Sequence, residues 1–175
     1  MGEGKKDEAN QNFTFLFIVL MAVGTLVTIG VLVFIDPLLS FLGAIETLYT
    51  YSYDYLFTTV MFTLVTMAKL YFDFFLVTSG KANLALINSV IGGVTNVILD
   101  YVFMGPLNMG MAGAAYATEI AMILPVILSF IYFASKKLTI CFTKPKAGIK
   151  LVLSACANGS SEMVVQISAG ISTFL

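Results

Sequence analysis

Apolar residues along this chain come in long runs separated by short polar clusters, and the length of the runs decides what they are. Four of them, residues 13–34, 49–77, 84–104 and 111–134, are long enough to cross about 30 Å of hydrocarbon at about 1.5 Å per residue. The first is uncharged and stops before Asp36-Pro37, because the residue preceding a proline is pushed out of the α region. The third stops at Gly105-Pro106, and the fourth carries Pro125 as a kink. Tyrosines alternate at 49, 51, 53 and 55, which alone is a strand signal. The apolar run continues far past strand length, however, and an isolated strand leaves its backbone unsatisfied in lipid, so the tyrosines fit an interfacial aromatic belt instead. Residues 135–157 read as a basic cytoplasmic loop and interfacial helix. The polar stretch NGSSE at 158–162 breaks the apolar character, so 158–175 reads as the start of a further span, cut short. The predicted fold is all-α: a polytopic membrane helix bundle of four full spans and a partial fifth.

Composition points the same way. Of 175 residues, 59 % are hydrophobic and only 11 % charged, against about 25 % charged in soluble domains, and the mean hydropathy is +0.96. A formal net charge of −1 offers no basic surface, so nucleic acid is not an expected partner. The sequence holds no histidine, and Cys141 and Cys156 match no metal-ligand spacing, which excludes a Cys/His metal site and a His-based triad. With no nucleotide loop or nucleophile elbow either, an enzyme is the least supported class and no cofactor is expected. Charge matters more by its distribution. If loops alternate sides, Lys5, Lys6, Lys81, Lys136, Lys137, Lys144, Lys146 and Lys150 fall on one side, while loops 35–48 and 105–110 hold no lysine. The positive-inside rule makes residues 1–12 a cytoplasmic loop of a multi-pass plasma (inner) membrane protein.

Charges inside the spans are the candidate chemistry. Asp100 sits within the third span although the sequence contains no arginine, and an ionised aspartate at a helix centre costs roughly 2.5–3.5 kcal/mol. It needs a partner, a proton or water. Asn88, Gly92, Asn96 and Asp100 recur at i+4 and form one polar face. The fourth span carries the complement: Gly110, Ala114 and Thr118, with Gly113, Ala117 and Ala121 on the adjoining row, the small-residue pattern that lets two helix backbones approach. A short Gly-Pro connection makes the two spans antiparallel neighbours and brings Thr118 to the depth of Asn96. Asn96, Asp100 and Thr118 are therefore the primary candidate site, an amide, a carboxyl and a hydroxyl able to hold a proton or to ligate Na⁺ through oxygens; no other metal is expected. Lys69 and Asp73 pair at i+4 on the second span, and Glu119 faces about 100° away from Thr118 with no partner assigned. These three form a secondary set.

The stretch GKANLALINSVIGGVTNVILDYVFMGPLNMGMAGAAYAT, residues 80–118, resembles the region around the fifth and sixth helices of the multidrug and toxic compound extrusion (MATE) family. Asn-x-x-x-Asp lies on the fifth helix and Gly-x-Ala-Gly-Ala-Ala-x-Ala-Thr opens the sixth. GEGKKDEA resembles the loop before that family's third helix, and DPLLSFLGA the end of it. The resemblance implies that the four spans are the third to sixth of twelve helices, part of a six-helix lobe, with the tail beginning the seventh. It implies export of small amphipathic or cationic compounds by H⁺ or Na⁺ antiport with alternating access, and ion-site residues at Asn96, Asp100 and Thr118. A further aspartate of that site would come from a first helix that the chain lacks. The expected partners are the lipid bilayer, the substrates and the remaining helices of a full-length transporter more than twice as long; alone, the piece is not expected to transport.

Two other readings are compatible with a membrane bundle. A lipid-linked oligosaccharide flippase of the same superfamily would need basic residues for pyrophosphate, and Lys69 is the only cation within the spans. A membrane scaffold or channel subunit would use Asp100 for structure alone. Phe13, Phe15, Tyr53, Phe57 and Phe62 are candidate cavity linings, though aromatic residues on membrane helices more often meet lipid or neighbouring helices.

Overall fold

The structure, a computed structural model, describes residues 6–41, 46–135, 140–145 and 148–174, and every regular element among them is a helix. In chain order these are α1 (Lys6–Val33), α2 (Ile35–Phe41), α3 (Glu46–Met61), α4 (Thr63–Thr78), α5 (Ala82–Met104), α6 (Gly110–Ala134) and α7 (Ile149–Phe174). Helices α1, α5 and α6 are each long and apolar enough to cross a membrane, and α3 with α4 qualifies as one span bent by 50°. The outer surface is apolar, with Leu26, Leu70, Phe74 and Val97 largely exposed. Water would not tolerate so continuous an apolar exterior, whereas hydrocarbon requires it. The chain is a polytopic membrane helix bundle.

Several boundaries differ from the hydropathy pattern, each for a local reason. Helix α1 begins at Lys6 rather than Phe13, with Asp7 and Glu8 in its first turn, where carboxylates stabilise the positive end of the helix dipole. It ends at Val33, because Pro37 has no N–H to offer the Val33 carbonyl; the break falls one turn before the proline instead of beside it. Bonds from the Phe34 amide to Gly30 O (3.1 Å) and from the Leu38 amide to Phe34 O (3.0 Å) carry the chain across into α2.

The second span, read as one helix over 49–77, is two helices meeting at Phe62, with neither proline nor glycine at the break. Threonines supply the cause. Thr63 Oγ1 donates to Thr59 O (3.3 Å) and Thr66 Oγ1 to Phe62 O (3.4 Å), the back-bonding that bends helices. The Val65 amide turns to Phe62 O at i−3 (2.9 Å), tightening the turn. Residues 149–174, expected to divide at NGSSE, form one uninterrupted helix. Without a proline, Asn, Gly and Ser only lower helix propensity, by up to about 1 kcal/mol each, and Ser160 Oγ donates to Ala157 O (2.6 Å) within the helix. Lys5, Lys136, Lys137 and Lys146 lie outside the described residues.

Helix α6 is the central element, touched by α3, α4 and α5, while α1 lies along α4. The starts of α1 and α5 and the ends of α4 and α6 meet at one end of the bundle, where the largest side chains are buried. Phe13, Phe72, Leu76 and Phe133 are essentially inaccessible there; ring centroids lie 5.0 Å apart for Phe13–Phe133 and 5.4 Å for Phe72–Phe133. Phe13 is thus core, not cavity lining. Segment 140–145 crosses this end and is pinned to α1 by its backbone: the Cys141 amide donates to Asn10 Oδ1 and the Thr143 amide to Thr14 Oγ1, both at 3.0 Å.

Helices α5 and α6 make the closest approach. A Cβ on Gly92 would stand 3.2 Å from Pro125 Cγ and 3.6 Å from Ala121 O, and one on Gly113 would stand 3.1 Å from Phe103 Cβ. Pro125 lies inside α6 and removes the donor that Ala121 O would otherwise receive, and Gly92 lets the α5 backbone come up to that carbonyl. The turn between the helices uses Asn108 (φ 50°) and Gly110 (φ 56°) in the left-handed region. By contrast, Gly93, the next residue, faces open space. Replacing Gly92 with valine should therefore destabilise the bundle by about 1–3 kcal/mol, read as a lower thermal unfolding midpoint in detergent, whereas Gly93→Val should leave the midpoint unchanged or raised. Equal effects at the two positions would show that the seam is not closely packed.

Candidate functional site

The antiparallel register of α5 on α6 places the polar face of α5 against the small-residue row of α6 one turn at a time. At the end holding the aromatic core, Asn88 Nδ2 donates to Ser129 Oγ at 2.8 Å, with both side chains buried. Next comes Gly92 under Pro125. One turn further, Asn96 Nδ2 donates to Thr118 Oγ1 at 3.2 Å, and that hydroxyl donates to Ala114 O at 3.0 Å. Asp100 follows at the next turn, half-buried, with Oδ1 enclosed and lacking a hydrogen-bond partner.

The expected three-way convergence is thus a bonded pair with a neighbouring unpartnered carboxyl. Asn96 and Thr118 meet as their spacing predicts, but Asp100 is bonded to neither through that enclosed oxygen. One Asn96 amide N–H is taken by Thr118 and the Thr118 O–H by Ala114 O. What is left is mostly oxygen, namely Asn96 Oδ1, a lone pair on Thr118 and the Asp100 carboxyl, with the second Asn96 N–H as a donor. Such a set can accept a proton at Asp100 or a hard cation at several oxygens, and it has no positive charge to hold an anion. Thr118 is exposed and Asn96 half-buried, so the pair opens at the bundle surface.

The secondary residues separate into two places. Lys69 Nζ and Asp73 Oδ2 form an ion pair of 2.8 Å on α4, each side chain 21 % exposed, so the only cation within the spans is already committed. Glu119, left without a partner by sequence reasoning, is 5 % exposed and turns toward α4, where Thr66 Oγ1 lies 3.3 Å from its Oε2. Thr118 and Glu119, adjacent in sequence, therefore serve opposite neighbours, α5 and α4. Ser129 was the residue that sequence reasoning missed. It continues the row Gly113, Ala117, Ala121, Pro125 by one more turn, and Pro125, read as a kink, hid that continuation. No comparable signal marks Thr66, whose contact with Glu119 crosses 53 residues of chain.

Two cavities lie toward the aromatic end of the α5–α6 pair. One, of about 220 Å³, is bordered by Leu76, Asn88, Ile91 and Ser129. The other, of about 410 Å³, sits over the α4–α5 turn at Gly80, Lys81 and Asn83. Neither is lined by Asn96, Asp100 or Thr118.

A search of curated proteins found no match. Among solved structures, an outward-facing multidrug resistance MATE family transporter of the MOP superfamily is similar over 97 % of this chain and 38 % of its own, with TM-score 0.90 and 23 % identity. An inward-facing MATE family transporter matches over 86 % of this chain and 35 % of its own, with TM-score 0.80 and 23 % identity. A MOP superfamily transporter from Pyrococcus furiosus Vc1, described as having a binding pocket of reverse polarity, matches with TM-score 0.88 and 23 % identity over 97 % and 38 %. The chain spans well under half the length of each. At these identities the likeness establishes the fold. The MatE family model matches residues 1–102 of the 175, more than half of the chain, and on that match this chain belongs to the MATE family of membrane transporters.

Proposed function

We propose that this chain carries the ion-coupling part of a secondary transporter that exports small cationic or amphipathic compounds in exchange for H⁺ or Na⁺ by alternating access. The observation that supports this reading is the enclosed, unpartnered Oδ1 of Asp100, one turn from the Asn96–Thr118 bond on a membrane-spanning helix. The sequence offers Asp100 no counter-charge, since Lys69 is held by Asp73 at 2.8 Å. A carboxylate left bare in hydrocarbon costs roughly 2.5–3.5 kcal/mol, so Asp100 is stable when it holds a proton or a cation and unstable when it holds neither. That difference is the free energy by which loading of the site biases one conformation over another. Proton and Na⁺ compete for the same oxygens, and a cationic substrate relieves the same charge once either has left.

In this proposal the protein is a multi-pass plasma (inner) membrane protein whose amino-terminal end is cytoplasmic. Lys6, Lys81 and Lys144 belong to the end of the bundle where α1 begins, in keeping with the positive-inside rule. Its partners are the bilayer, the substrate and the other helices of the full-length transporter. No enzymatic step is involved.

The deciding measurement is drug efflux by the full-length transporter in vesicles, with pH and Na⁺ gradients imposed separately. Asp100→Asn should lower gradient-driven export on the order of 5- to 150-fold, the usual range of a coupling free energy; undiminished export under every gradient would remove Asp100 from the coupling role. The hydroxyl at 118 separates the two ions. If Na⁺ is the coupling ion, Thr118→Val removes one ligand and should weaken apparent Na⁺ affinity about tenfold, near 1.4 kcal/mol. If the proton is the coupling ion, the same variant should leave pH-driven export close to wild type, because the proton needs only the carboxyl.

A further inference from the structure

Glu119 is a second intramembrane acid that the Asp100 site does not use. It is 5 % exposed, and its neighbours offer little to an ionised carboxylate. On α4, Lys69 and Asp73 are bonded to each other, and the Tyr71 hydroxyl donates to Phe13 O at 2.6 Å. On α3, Asp54, Tyr51 and Tyr55 are exposed, Tyr49 donates to Asp36, and Tyr53 stacks on Tyr49 and Phe57. On α5, Asp100 belongs to the seam on which Thr118 lies, and Tyr101 is exposed; the remaining tyrosines, Tyr116 and Tyr132, are on α6 itself. Helix α1 contributes only Lys6, Asp7 and Glu8, exposed at its start. The polar atom that does reach Glu119 is Thr66 Oγ1, at 3.3 Å.

Thr66 has one hydroxyl proton and three acceptors within reach: Glu119 Oε2 at 3.3 Å, Phe62 O at 3.4 Å and Met122 Sδ at 3.6 Å. A protonated Glu119 lets both short oxygen contacts be hydrogen bonds at once. Its own O–H then donates to a lone pair of Thr66 Oγ1, and the Thr66 hydroxyl is free to donate to Phe62 O. Phe62 is the residue at which α3 and α4 meet at 50°, and a threonine hydroxyl on the carbonyl one turn back is what bends a helix. We infer that Glu119 is a further proton-binding site, distinct from the Asn96–Asp100–Thr118 group, which sets the α3–α4 bend through Thr66. When Glu119 loses its proton to water, the Thr66 hydroxyl turns to the carboxylate, Phe62 O keeps only its backbone donors, the amides of Val65 and Thr66, and the bend, to which Thr63 still contributes, opens in part. Protonation restores the bend. The device requires no assumption about what the transporter carries or which ion drives it.

The test uses the full-length transporter in lipid nanodiscs with Cys141→Ser and Cys156→Ser, and spin labels at Tyr51→Cys on α3 and Val77→Cys on α4, both exposed positions. The label separation is measured by electron–electron resonance across the pH range, and the protonated carboxyl is followed by infrared difference spectroscopy. In the wild-type background the distance should lengthen as pH rises, in step with loss of a protonated-carboxyl band. Glu119→Gln, neutral and of the same shape, should remove that band and hold the short distance at every pH. Thr66→Val should keep a titrating band but hold the long distance throughout, and it decides the matter if Glu119→Gln does not fold. Asp100→Asn should retain the pH-dependent lengthening. Lengthening that survives in Glu119→Gln or Thr66→Val, a carboxyl band unaltered by Glu119→Gln, or lengthening abolished by Asp100→Asn would each overturn the inference.

Discussion

The backbone-to-backbone approach of α5 and α6 is the constraint from which the rest of this bundle follows. In lipid, apolar surface gains nothing by burial against other apolar surface, so helices associate through close contact and through hydrogen bonds between polar side chains. Gly92 under Pro125 and Gly113 against Phe103 bring the axes together. At that separation the short side chains of Asn88 and Ser129, and of Asn96 and Thr118, can reach each other across the seam. A larger residue at either glycine would hold the amides away from the hydroxyls. The polar site is thus a consequence of the absence of side chains elsewhere on the same faces.

How much of this was legible in the sequence depended on the range of the interaction. Spans could be located because hydrocarbon thickness imposes a length on every crossing helix. The Asn96–Thr118 contact could be foreseen because an i+4 row, a short turn and antiparallel geometry fix depth without further information. Asp100's isolation could not: whether a side chain bonds to a neighbour one turn away is a matter of rotamer, and no spacing determines it. Nor could the break at Phe62 be read, since threonines are common in unbroken helices and back-bond only in some of them. The continuity of α7 through residues 158–162 carries a related lesson. Polarity marks where a helix is poorly suited to lipid, whereas proline or a left-handed residue is what stops it. Glu119's partner lay beyond reach for a third reason, as its contact with Thr66 depends on how α4 is rotated against α6.

The half-buried Asp100 and the buried Glu119 make a contrast that residue type alone would not reveal. Asp100 has an enclosed oxygen with no donor near it, beside a group rich in free oxygens. Glu119 has a single hydroxyl that is claimed by a carbonyl as well. A cation bound at the first finds further ligands; at the second it would find a thioether and a backbone already in use. Oxygen count therefore divides the two carboxyls into one with several further oxygens beside it and one with a single hydroxyl.

Burial is also uneven along the bundle, and that unevenness bears on motion. Phe13, Phe72, Leu76, Phe133 and Ile140 close the end where α1 begins, and two backbone amides of the 140–145 segment tie it to α1. Toward Asp100, α6 buries mainly Ala115, Ala117 and Ala121. Opening the aromatic end would expose several rings at once and strip two partly buried hydrogen bonds from the 140–145 segment. Opening the alanine end would expose smaller side chains, but it would also break the Asn96–Thr118 and Thr66–Glu119 contacts. Local stability follows such differences in contact: rings hold the end where α1 begins, and short polar bonds between closely spaced helices hold the end with Asp100. The small side chains that admit the polar site also leave its surroundings with little buried side-chain volume, so close approach and light packing share one structural cause.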